Sequence, residues 1–269
     1  MKKLATALVS AAAIMTMSTT AFAAENPAEV FDRVMEKNNT IQSAEIQSGV
    51  HSVILAKDVI PDGQMKVDMA MHAEMDMQDT TDLKYLAQVA SSILGQDSYS
   101  QVFYTDGYYY VDTNGVKLKY PMPLEQIISS VQTGVNTSNM ESSYMKGISL
   151  NEVNGKRVLA YEANPKKLNK NVKEALGTVM NTLGTDINLD MNSQEMKGAY
   201  VLDDNDYIIY MTNYIVYNME VLDPPMTCIT LMETEVQNPG EPVVVTLPST
   251  DGYEDLIGLY DGVIESEVE

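Results

Sequence analysis

Four dipeptides suited to positive φ at both positions punctuate this chain, and they dictate an antiparallel β architecture. Asp62-Gly63, Asp106-Gly107, Asn114-Gly115 and Asn154-Gly155 each lie between runs rich in Val, Ile, Tyr and Met. Asp-Gly and Asn-Gly accept the left-handed backbone of tight turns whose twist matches that of the flanking strands, so each one marks a hairpin. Softer turns at Asp203 to Asp206 and at Asn238-Pro239-Gly240 extend the series into a meander.

Between these turns the pattern predicts strands over residues 45–59, 64–78, 99–105, 108–113, 116–121, 142–153, 156–163, 186–202, 207–222, 226–236 and 243–247. The second alternates most cleanly. Met65, Val67, Met69, Met71, Ala73, Met75 and Met77 share one face, while Lys66, Asp68, His72, Glu74 and Asp76 share the other. Period two over this length means a strand with one dry and one wet side. Helices are predicted over 27–42, 82–94, 123–135 and 165–183. The first and last open at Asn26-Pro27 and Asn164-Pro165, and the second stops before Gly95. Each has an apolar stripe that needs cover, and the sheet supplies it. The expected class is therefore α+β, a curved antiparallel sheet of about eleven strands with about four helices on one face.

Lys2 and Lys3, the apolar run from Leu4 to Met17 and the small-x-small pattern Ala21-Phe22-Ala23 form an export leader, cut before Ala24. That run is shorter than a membrane span, and no later stretch reaches one. The single Cys, Cys228, follows no cleavage site, so no lipid anchor is expected and no internal disulfide can form. Residues 24–249 are read as one domain and 250–269 as an acidic tail that is mobile or weakly docked. The net charge of −21 repels nucleic acid and anionic membrane surfaces.

Catalytic signals are poor. Neither His51 nor His72 lies near a nucleophile motif or in a metal-ligand spacing, and there is no phosphate loop or dinucleotide fingerprint. Asp186-Ile187-Asn188-Leu189-Asp190-Met191-Asn192 alternates oxygen ligands as a calcium loop does. It lacks the turn glycine, however, and Lys197 stands where a bidentate Glu belongs. No catalytic residue, metal or cofactor is expected.

Methionine and tyrosine carry the functional signal. There are 19 Met against three Phe and no Trp. Flexible, polarizable Met suits apolar partners of variable shape, and it equally suits plain core. Tyr104, Tyr108, Tyr109, Tyr110 and Tyr120 crowd one short meander, where they could line a pocket mouth or cover an outer sheet face.

The order of elements resembles the LolA-like and LppX-like superfamily of envelope lipid carriers, with a texture similar to a group of secreted Gram-positive proteins of that fold. The resemblance rests on the Met-alternating strand at 65–77, the hairpin Tyr104-Thr105-Asp106-Gly107-Tyr108-Tyr109-Tyr110, the run from Gly155 to Leu168 and the segment Val243 to Pro248. It implies an unclosed half-barrel whose concave face, plugged by helices, holds a lipid or another apolar ligand. The candidate lining is Met65, Met69, Met71, Met75, Met77, Ile209, Met211 and Met219. The competing expectation is an envelope interaction or sensor module that binds a protein partner.

Overall fold

Strand-turn-strand punctuation persists throughout the computed structural model, which describes residues 25–56, 60–79, 83–124, 126, 140–167, 169, 191–219 and 226–256. The expected leader, the calcium-like run 186–190 and most of the two later predicted helices lie outside the described residues. Asp62, Asp106, Asn114 and Asn154 all adopt positive φ, as does the glycine after each. Twelve strands result: β1 (Ser43–Leu55), β2 (Gln64–Asp76), β3 (Lys84–Ile93), β4 (Gln96–Thr105), β5 (Tyr108–Thr113), β6 (Val116–Pro121), β7 (Met145–Val153), β8 (Lys156–Ala163), β9 (Met191–Leu202), β10 (Ile208–Met219), β11 (Met226–Gln237) and β12 (Glu254–Asp255).

Their hydrogen-bonded order is β12-β6-β5-β4-β3-β2-β1-β11-β10-β9-β8-β7. The sheet is thus open, with β12 and β7 at its ends. Two compact units share it, one of Met1–Asn38, Gly49–Asp68 and Ser138–Glu235, the other of Asn39–Ser48, Met69–Thr137 and Val236–Glu269. β1 and β2 run through both, which is why no linker composition marks a boundary.

Three expectations are corrected. The helix predicted over 82–94 is strand β3, paired along its length with β4. Leu86 packs on one side of it and Tyr85 and Ala87 on the other. A strand covered on both faces loses its polar alternation, and its apolar residues then mimic a helical stripe. Gly95 closes a hairpin turn with Leu94, at φ 76° and 52°. The expected strand 243–247 joins no ladder. Instead Val243, Val245, Leu247 and Tyr253 lie as a strap against Leu86, Phe103 and Tyr110. Finally, the count of about four helices is not matched, whereas twelve strands among the described residues fit the expected sheet. Among the described residues only α1 (Pro27–Asn38) has both ends defined. Helical residues also begin at Leu124 and Pro165.

An exposed Leu at φ 52° carries a steric penalty that Asn bears more easily. Replacing Leu94 by Asn is therefore expected to stabilise the protein by about 1 kcal/mol. The check is a higher urea midpoint at unchanged slope.

α1 forms as its sequence directs. Asn26 Oδ1 accepts from the Ala28 amide at 3.1 Å, Pro27 occupies the first turn, and Val30, Phe31, Val34 and Met35 make the buried stripe. At its far end, Asn38 donates to Val34 O (2.7 Å) and Asp206 O (3.0 Å), and its Oδ1 accepts from the Ile208 amide (2.9 Å). Asp206 gathers Arg33 Nε (2.9 Å) and Arg157 Nη2 (2.5 Å). Burial works to raise its pKa, but the two guanidiniums outweigh that and hold the carboxyl below its ordinary value. The β9–β10 turn is thereby clamped to the helix.

Candidate functional site

The first unit buries one side of β7–β10 beneath α1. Phe31 meets Tyr161 edge-on at 5.8 Å, and Leu150, Leu159, Tyr200 and Leu202 complete the cluster. The β10 register carries this face past the helix. Met211 packs on the cluster, Asn213 accepts from the Tyr161 hydroxyl, and alternation then places Ile215, Tyr217 and Met219 beside Thr230, Cys228 and Met226 of β11. Most of this extension is partly buried. Of the predicted lining, Met65, Ile209, Met211 and Met219 belong to this unit. Met65, Ile209 and Met219 are partly buried, Ile209 at a bulge and Met219 opposite both Met191 and Met226.

The second unit holds Met69, Met71, Met75 and Met77 of β2. Met75 and Met77 are 1% and 4% exposed, packed with Ala44, Ala87 and Tyr104. Met69 and Met71 are 40% and 36% exposed. One apolar strand face therefore passes from core into water within a few residues.

Register extends this face across β3–β6. Tyr85 pairs with Tyr104, Tyr104 with Tyr109 and Tyr109 with Tyr120, and residues directly opposite one another share a face. One rung further along lie Ala87, Val102, Val111 and Leu118, followed by Val89, Ser100, Thr113 and Val116. None carries a charge. Lys84, Asp97, Asp112, Lys117 and Lys119, the charged residues of these four strands, all alternate to the opposite side. In a chain of net charge −21, that segregation is the strongest local signal.

On the opposite side of the same strands the strap covers Leu86, Phe103 and Tyr110. Phe103 stacks on Tyr110 at 4.6 Å, and Tyr253 stands edge-on to both, at 5.6 and 5.1 Å. The uncharged side is partly open, and Val89, Val102, Val111 and Leu118 on it are half-buried.

The crowding of tyrosines was visible in the sequence, but its geometry was not. Tyr85 was hidden inside the supposed helix. Tyr110, one residue from Tyr109, points to the strap. Burial raises the Tyr109 hydroxyl well above its ordinary pKa, with Tyr85 and Tyr120 adding to the effect, and it raises those two as well.

Both histidines lie on polar strand faces beside carboxylates, His51 Nδ1 at 2.7 Å from Asp68 and His72 Nε2 at 3.2 Å from Glu45. Cys228 is buried, and burial pushes its thiol up, which disfavours the nucleophilic thiolate. Among the described residues no three His, Cys, Asp or Glu side chains gather as metal ligands, and no helix is long and apolar enough to cross a membrane.

No family model matches the chain, and no curated protein matches it. Among solved structures it is similar to LprF from Mycobacterium bovis, at 10% identity over 83% of this chain and 97% of that one, with a TM-score of 0.39. Lipoprotein LppX from Mycobacterium tuberculosis gives 10% identity, 82% and 100% coverage and a TM-score of 0.38. A LolA superfamily protein from Nitrosomonas europaea gives 8%, 83%, 96% and 0.24.

Proposed function

We propose that the chain is an exported, non-enzymatic binding protein that takes up an apolar ligand, an acyl chain or similar hydrocarbon, in the cell envelope. The seat is the uncharged face of β3–β6 with the adjoining Met69, Met71, Met75 and Met77 of β2. One observation carries this reading. A charge-free apolar face, partly open to water, persists on β3–β6 in a strongly acidic chain that places every charge of these strands on the opposite face. Soluble proteins rarely leave such a surface without a partner. Flexible Met at its edge suits chains of differing length. The leader-like N-terminus supports export, and the placement of His51, His72 and Cys228 supports binding without catalysis.

Titration of the protein lacking residues 1–23 with a pyrene-labelled hydrocarbon tests the reading. The protein should take up the probe. Met71→Asp should weaken uptake at least tenfold, because a carboxylate in an apolar contact costs several kcal/mol of desolvation. Met71 is exposed enough for the variant to fold, which its melting temperature will show. Uptake undiminished in the folded variant would count against the seat, and no uptake by the parent protein would count against the function.

A further inference from the structure

The tyrosine row says something about the polar end of the ligand, an inference that rests on the binding function proposed above. Four tyrosines stand side by side across β3, β4, β5 and β6. With strands about 4.8 Å apart, the row is roughly 14 Å wide. Tyr104 is buried, and its hydroxyl donates to Met122 O at 3.3 Å. Tyr85, Tyr109 and Tyr120 are half-buried around it, with the Tyr109 and Tyr120 rings 5.5 Å apart. Their hydroxyls make no hydrogen bond to another described residue. They are not among the buried side-chain atoms left without a partner, so they meet water, which an acceptor on a ligand would replace.

We propose that Tyr85, Tyr109 and Tyr120 form a donor subsite that takes the ester carbonyls of an uncharged acyl ester, such as a diacylglycerol, and discriminates against free fatty acids. The face holds O–H donors and, among the described residues of β3–β6, no Lys, Arg or His. An ionised carboxylate entering it would be desolvated without a counter-charge, a cost that hydrogen bonds alone do not offset. An ester carbonyl accepts the same bonds and carries no net charge. Because the hydroxyls titrate far above neutrality, they remain donors at every ordinary pH. The 5.5 Å separation of the Tyr109 and Tyr120 rings suits two carbonyls on one glycerol, while the adjoining Val, Leu and Met surface receives the chains.

Displacement of the pyrene-labelled hydrocarbon by dioleoylglycerol, oleate and hexadecane at pH 8 tests this. Dioleoylglycerol should displace the probe at a concentration at least tenfold below that of oleate. In the Tyr109→Phe/Tyr120→Phe double variant, which keeps both rings, dioleoylglycerol should weaken about tenfold, from two lost hydrogen bonds, while hexadecane is unchanged. Equal displacement by oleate, or equal weakening for hexadecane, would overturn the subsite and leave the binding function standing. Failure of the pyrene probe to bind at all would remove both.

Discussion

Replacing Gly198 by Ala should destabilise the protein by about 3–5 kcal/mol, since overpacking and a broken buried hydrogen bond both contribute. Gly198 lies on β9 opposite both Tyr161 of β8 and Asn213 of β10. The Tyr161 hydroxyl donates across it to Asn213 Oδ1. A Cβ at this position would press on Asn213 Oδ1, lie 2.6 Å from the Thr212 carbonyl oxygen and lie 2.8 Å from the Tyr161 hydroxyl. Side chains can rotate away, but the Thr212 carbonyl belongs to the β10 ladder and cannot. The bridge above is buried, so displacing it strands two polar groups under α1. Urea unfolding gives the test. A midpoint within error of the parent would show that the β8–β10 packing is not as described.

The second large effect is expected at Phe103. Its ring is fully buried between β4 and the strap, stacked on Tyr110 and met edge-on by Tyr253. Phe103→Ala removes this anchor and should cost about 3–5 kcal/mol. The strap should also loosen locally, because its few apolar contacts converge on this ring. Thermolysin, which cuts before apolar residues such as Val244 and Val245, should cut the variant within the strap well before the remainder unfolds. Retained resistance would mean that the strap is held from elsewhere. The functional reading is touched by this point, because the strap covers the apolar patch of β3–β5 that lies opposite the proposed seat.

Turn chemistry made most of the hairpins legible, since Asp-Gly and Asn-Gly announce positive φ without reference to tertiary structure. Leu94-Gly95 did not, because Leu has no preference for that conformation and only the pairing of β3 with β4 imposes it. The Met face of β2 was readable by its period of two. β3 was unreadable for the opposite reason: with apolar residues on both of its sides, it shows no clean period. The segment 243–247 has a strand's composition, but its backbone runs over a sheet face and joins no edge, a choice that only packing against Phe103 and Leu86 decides. The candidate site divides the same way. Met69, Met71, Met75 and Met77 are visible in one strand, whereas the tyrosine row exists only through the register of four strands, one of them unrecognised.

Native mass spectrometry of the protein lacking residues 1–23, purified without detergent, tests the central claim most directly. The account predicts a population heavier than the mature chain by the mass of an uncharged lipid, which organic solvent releases and dioleoylglycerol restores. A single bare species that takes up no added lipid would contradict it.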